Sequence, residues 1–137
     1  MSTNNHDYVV EIEKFAQKHY IKKFRKKFKK AWEITETAIV QEVERIDRVA
    51  GLTDKIEKIA LSGDYWLIKL YFSVAGTKKS AKASGNRAII LVDNSSYKCR
   101  ILLVYSKNEI CPPNETQKWM KVIKSNYPSI WKIFHRN

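Results

Sequence analysis

Between Lys69 and Lys107 the chain carries Lys69, Lys78, Lys79, Lys82, Arg87, Lys98, Arg100 and Lys107 against one acid, Asp93. Ammonium and guanidinium groups do one kind of chemistry well. They hold phosphate oxygens and stabilise charge that develops on them. Three of the cations stand at telling places. Lys69 interrupts an apolar run, Trp66-Leu67-Ile68-Lys69-Leu70; Arg87 opens the next apolar run; Lys107 closes the last. Neighbouring strands of a sheet lie about 5 Å apart. Cations so placed can converge on one anion, or can stand as three separate side chains on a solvated face.

The whole chain shares this bias. Its 137 residues hold 26 Lys and Arg and 14 Asp and Glu, for a formal net charge of +12. That excess points to a polyanionic partner: nucleic acid, an anionic membrane surface or an acidic protein. Other chemistries lack their residues. The three His and two Cys are scattered and no carboxylates cluster beside the basic segment, so no metal site is read. No Gly-rich phosphate loop and no Ser–His–Asp order appears, and no cofactor is expected. Cys99 and Cys111 form no CxxC pair and are too few for a disulfide scaffold, which suits reduced thiols in a cytoplasmic protein. Residues 1–7 are polar, are expected to be frayed and show no signal-peptide pattern. No apolar run reaches bilayer length, and no membrane partner is expected.

The elements that must position these cations are read from periodicity. Tyr8 to Phe15 alternates in part, which suits a strand or equally the beginning of the next helix. Ala16 to about Ala31 is a helix rich in Lys22 to Lys30 with no acid. A second helix is expected from about Thr35 to Ala50, its stripe Ile39, Val43 and Ile46, with Gly51 as a C-cap. Residues 52–64 read as a connection with a short helical turn. Three strands follow: Tyr65–Val74, Ala88–Asp93 and Lys98–Ser106. The last two join through an Asp93-Asn94-Ser95-Ser96 turn, the first two through a long basic loop. After Cys111-Pro112-Pro113, Asn114 is expected to cap a helix running to Asn126, with Glu115 in its first turn and Pro128 as its stop. One domain over 1–137 is expected. Its class is α+β: a strand, an antiparallel helix pair, an antiparallel meander and a C-terminal helix.

The stretches Tyr65–Leu70, Ser84-Gly85-Asn86-Arg87-Ala88-Ile89-Ile90 and Ile101–Asn108, in that order after a strand and a helix pair, resemble the sheet of the RelE/ParE toxins. The resemblance covers roughly residues 8 to 126. It implies a toxin of a type II toxin–antitoxin pair, an endoribonuclease acting on messenger RNA at the ribosome, with a cognate antitoxin as partner. In RelE-type toxins the 2′-hydroxyl attacks the adjacent phosphate, leaving a 2′,3′-cyclic phosphate and a 5′-hydroxyl. Crowded cations suit this reaction, since a lysine among other cations gives up its proton more readily.

By position, the resemblance makes Lys69 a base or phosphate clamp, Arg87 the group holding the scissile phosphate, and Lys107 an acid or second clamp. Lys79 and Lys82 are candidates for a further lysine, and Arg100 extends the RNA-binding face. Tyr105 or Trp119 would stack a base. The chain departs from the family in its long loop before Arg87, in having no tyrosine soon after the last strand (Tyr127 lies further on), and in having no histidine near the sheet. Two other functions share this sequence: a ParE-like gyrase inhibitor without nuclease chemistry, and a non-enzymatic basic module holding nucleic acid through the Lys22–Lys30 helix.

Overall fold

A computed structural model describes residues 7–135. The expected frayed segment therefore lies outside the described residues except at Asp7, whose carboxylate pairs with Arg48. Strand β1 is Val9–Ile12. The first helix is one run of three segments: α1 (Lys14–Ala16), a π-helical turn (Gln17–Ile21) and α2 (Lys22–Phe28). It ends one turn earlier than the charge pattern suggests, because Lys29 takes a positive φ of 52° and reverses the chain. Helix α3 (Lys30–Glu44) and the short α4 (Ile46–Val49) follow, separated by a break at Arg45. The second helix thus starts earlier than expected and is split.

Five strands form one sheet in the order β1-β5-β4-β3-β2. Strands β2 (Ile56–Ser62), β3 (Tyr65–Phe72), β4 (Asn86–Asp93) and β5 (Lys98–Tyr105) make an antiparallel meander. The short helix α5 (Ala81–Ser84) sits in the loop between β3 and β4. Strand β1 returns to pair in parallel with β5, from Val9↔Lys98 to Ile12↔Ile101. The α+β class expected from the sequence holds. One strand was not expected: β2 occupies the segment read as a connection. It is an edge strand carrying Glu57 and Lys58, and its register shifts between Lys58 and Ala60. Exposed charges and a bulge both erase the alternation by which strands are recognised.

Each face of the sheet is covered. Phe24, Trp32, Ile39 and Val43 pack against Ile68, Leu70, Ile90, Val92, Ile101 and Val104 on one side. On the other, Trp119 and Ile123 of α6 (Glu115–Asn126) and Ile130 of α7 (Pro128–Phe134) cover Leu67, Ile89, Leu91, Leu103 and Tyr105. Burial on both sides explains why β4 reads as a continuous apolar run. Pro128 does more than stop α6. It occupies the first turn of α7, where its missing N–H has no helical partner to lose. Asn114 does not cap α6 with its side chain; it adopts a left-handed backbone, φ 64°, that turns the chain into the helix.

The two hairpin links differ as expected. In the tight one, burial works against the charged Asp93, but hydrogen bonds from the Ser96 and Ser95 hydroxyls and backbone N–H groups outweigh it and hold its carboxyl below the usual range. The long one is anchored to α3. The buried Thr35 hydroxyl donates to the Ala31 carbonyl at 2.8 Å and accepts from the Ala75 N–H at 2.8 Å. Among the described residues, no helix is long and apolar enough to cross a membrane.

Two measurements check this architecture. Thr35→Val keeps the shape but leaves the partly buried Ala75 N–H without its acceptor at the root of the long loop. Urea unfolding is expected to show a loss of about 1–3 kcal/mol; an unchanged stability contradicts the anchor. Cys99 is buried and its thiol is pushed up to about 12 by burial, then by Asp47 and Asp93, whereas Cys111 is exposed. At pH 8 a thiol reagent is expected to modify one cysteine in the folded protein and both after denaturation.

Candidate active site

The site is built on the face of the sheet covered by α6. Tyr71, Arg87 and Tyr105 lie side by side across β3, β4 and β5. Lys69 lies two residues before Tyr71, so it projects from the same face. Tyr105 reaches that face only because β5 is bulged. Ile89 pairs with Leu103 and Ile90 with Ile101, so Leu102 is extra. With Leu102 in a regular ladder instead of a bulge, strict alternation from Ile101 would turn Tyr105 toward the helix pair.

Two of the three expected cations meet here. Lys69 Nζ lies 3.9 Å and Arg87 Nε 3.8 Å from one oxygen, Oε2 of Glu115, and the Tyr105 hydroxyl donates to the same oxygen at 2.5 Å. Both cations are largely withdrawn from water, with side-chain exposures of 9% for Lys69 and 13% for Arg87. Arg87 is fixed further. Its guanidinium donates to the Asn86 carbonyl at 3.0 Å and to the Lys82 carbonyl, in α5, at 3.1 Å. It also lies 4.3 Å from the centre of the Tyr71 ring. Lys69 and Lys82 approach the same ring at 5.6 and 5.3 Å, a cation–π arrangement that gives otherwise repelling charges a shared negative surface.

Both tyrosines remain donors at ordinary pH. Burial, then the hydrogen bond to Glu115, pushes the Tyr105 phenol far above its usual range. Burial, then the Glu57 carboxylate, pushes Tyr71 up to about 12; its hydroxyl donates to Glu57 at 2.7 Å. The arrangement is a fixed set of donors, namely a guanidinium, an ammonium and a phenol, all directed at one anion. The anion now in place is the carboxylate of α6.

The remaining expected residues are placed elsewhere. Lys107 does not join Lys69 and Arg87. Its aliphatic stem lies against Gly85, where an added Cβ would stand 2.7 Å from the Lys107 Cδ. With Lys79 it lines a groove beside the helix pair. Lys82 borders the Tyr71 ring and pairs with Asp54 at 3.9 Å. Arg100 is held by Glu13 through two hydrogen bonds, at 2.9 and 3.1 Å, near β1. Neither aromatic candidate presents a face to a base: Tyr105 and Trp119 are both 0% exposed and belong to the core under α6. Among the described residues, no cluster of His, Cys, Asp or Glu could hold a metal ion.

Sequence reading missed Glu115 and Tyr71. Glu115 was legible only as a first-turn acid suited to a helix N-terminus. Tyr71 had a usable signal, since two residues after Lys69 on one strand means the same face.

No protein-family model matches the chain, and no curated protein matches it. Among solved structures, it resembles a chain of the archaeal RelE–RelB complex from Pyrococcus horikoshii OT3. The TM-score is 0.51 and the identity 17%, over 74% of this chain and 96% of that one. The likeness is one of fold: a helix pair and a C-terminal helix on a sheet in the RelE arrangement.

Proposed function

We propose that this protein is a toxin-like endoribonuclease that cleaves messenger RNA by 2′-hydroxyl attack, and that it is held in check by a partner protein. The observation that carries this reading is the convergence of Arg87, Lys69 and the Tyr105 hydroxyl on a single carboxylate oxygen. A phosphate oxygen asks for the same donors. The RelE–RelB complex to which the structural neighbour belongs supports both halves of the reading, the toxin and its partner.

In the proposed reaction the first turn of α6 yields its place to the RNA. Arg87 takes the scissile phosphate, with Lys69 and Tyr105 on the same oxygens. The 2′-hydroxyl oxygen bonds to phosphorus as its proton leaves to a base, and the bond to the 5′-oxygen breaks as that oxygen gains a proton. The products are a 2′,3′-cyclic phosphate and a 5′-hydroxyl. The negative charge that grows on the phosphorane is where a preformed guanidinium and ammonium contribute most. Glu115 then has the role of placeholder: it satisfies two buried cations while no phosphate is bound.

A second reading has its own observation. The same ion cluster, complete in itself, also suits a protein that binds nucleic acid without cutting it, since buried pairs often serve only structure.

The test is cleavage of a messenger in a reconstituted translation reaction, with the product ends mapped. Arg87→Ala is expected to lower cleavage by about 2–4 kcal/mol of transition-state stabilisation, roughly 30- to 1,000-fold. Glu115→Gln keeps an acceptor for Tyr105 but removes the charge, and is expected to bind RNA more tightly and still cut. Full cleavage by Arg87→Ala overturns the assignment. Loss of cleavage in Glu115→Gln makes Glu115 a participant in proton transfer and overturns the placeholder role. No cleavage by the wild-type chain leaves the binding module.

A further inference from the structure

We propose that the groove between α2, the loop after β3 and the chain after β5 is a nucleotide subsite that reads one base of single-stranded RNA through Asn86. The proposal extends the RNA reading of the preceding section, but it concerns a different face of the sheet and is tested by binding alone.

The groove encloses about 550 Å³. Lys27, Lys78, Lys79 and Lys107 line it, and none of the four has a carboxylate within ion-pair distance among the described residues. The one acid in its lining, Glu109, is taken by Lys23 at 3.1 Å. Four unpaired ammonium groups around one hollow repel each other, and an anion relieves that repulsion.

Asn86 singles out the kind of anion. It is 9% exposed and lines the groove, yet its side-chain amide has no hydrogen-bond partner among the described residues. Among the described residues, the buried side-chain atoms left without a hydrogen-bond partner are Glu109 Oε2 and Trp119 Nε1, so the Asn86 amide keeps contact with the groove and is open to a ligand there. An amide offers donors and an acceptor together. A phosphate or carboxylate uses only the donors, which the lysines already supply. The edge of a nucleobase uses both. The size agrees: the hollow falls within the range of small-ligand sites, room for one or two nucleotides. An acidic helix would need a trough several turns long. The half-buried Phe28 adds an apolar wall.

The groove adjoins the candidate active site without sharing it. Asn86 and Arg87 are successive residues at the start of β4 and so point to opposite faces. Between the two sites the Lys107 stem crosses the bare backbone of Gly85, whose φ is +80°. A strand with a phosphate at Arg87 can pass that end of the sheet and set a neighbouring base against Asn86. This needs unpaired RNA, because a duplex holds its bases inside.

The experiment is fluorescence anisotropy of the full chain with labelled 2′-O-methyl hexamers of A, C, G or U. These lack the attacking hydroxyl and report binding only. Asn pairs best with adenine, so the A hexamer is expected to bind about 10-fold more tightly than the others. Asn86→Ser should flatten that preference, and Asn86→Asp should move it toward cytosine, which offers a donor to a carboxylate. Lys27→Gln with Lys79→Gln should reduce the slope of log affinity against log salt by about 1.4, two phosphate contacts at about 0.7 each. Circular dichroism melts verify that each variant folds. Equal binding of the four hexamers, or variants that leave preference and salt slope unchanged, overturns the subsite. A poly-glutamate peptide that binds as tightly as RNA makes the groove a protein-docking surface and also overturns it. Cleavage plays no part in these readouts, so a failure of the nuclease reading is seen separately.

Discussion

The structure turns on one oxygen atom. Lys69 and Arg87 project from adjacent strands into a space that α6 largely closes to water, and Glu115 Oε2 is the counter-charge they share. A buried cation without such a partner is among the more destabilising features a fold can hold. The charge of β3 and β4 therefore constrains the C-terminal third of the chain. Helix α6 must arrive with its first turn over Arg87, and the turn at Asn114, the apolar contacts of Trp119 and Ile123, and the restart at Pro128 all deliver it there. The constraint runs both ways. Whatever anion replaces Glu115 must be presented as well as the carboxylate is, or the cations lose by the exchange.

How far the sequence disclosed this depends on the range of the interaction concerned. Strands β3, β4 and β5 and the hairpin at Asp93 are local patterns: apolar runs closed by residues that favour turns. They stand where periodicity puts them. The pairing of Lys69 with Arg87 was also accessible, because both open or interrupt apolar runs and so project from neighbouring strands. Lys107 illustrates the limit. Its place at the end of β5 says which strand carries it, but its direction is set by the space that Gly85 leaves, and Gly85 lies more than twenty residues away in the chain.

Other features were hidden for identifiable reasons. The β2 strand lacks alternation because it is an edge and is bulged. The breaks at Lys29 and Arg45 involve no glycine or proline, so nothing in composition announces them; tertiary packing, with Phe24 stacked on Trp32 at 4.8 Å, sets where the first pair of helices folds back. Tyr105 and Trp119 looked available for stacking because aromatic residues near a basic face often are. Whether a ring is core or surface depends on which face its strand or helix presents. For Tyr105 that depends on the bulge at Leu102 in β5.

The distribution of partners among the cations separates structural charge from available charge. Arg100 is engaged by Glu13, Lys23 by Glu109, Lys55 by Glu42 and Lys82 by Asp54. These pairs consume charge that composition alone would assign to a ligand. Two groups among the remaining cations differ in kind. In the Arg87 site the cations are nearly dry and share one carboxylate, so a ligand there would compete with the protein itself. Around Asn86, Lys27, Lys78, Lys79 and Lys107 have no carboxylate within ion-pair distance among the described residues, so a ligand on them competes with water and salt. A polyanion meeting this surface gains first from the open lysines, and the energy of that contact is available to help dislodge Glu115. On the proposed reading, one RNA strand occupying both would couple the site closed by its own counter-ion to the open one, across the short span of backbone at Gly85.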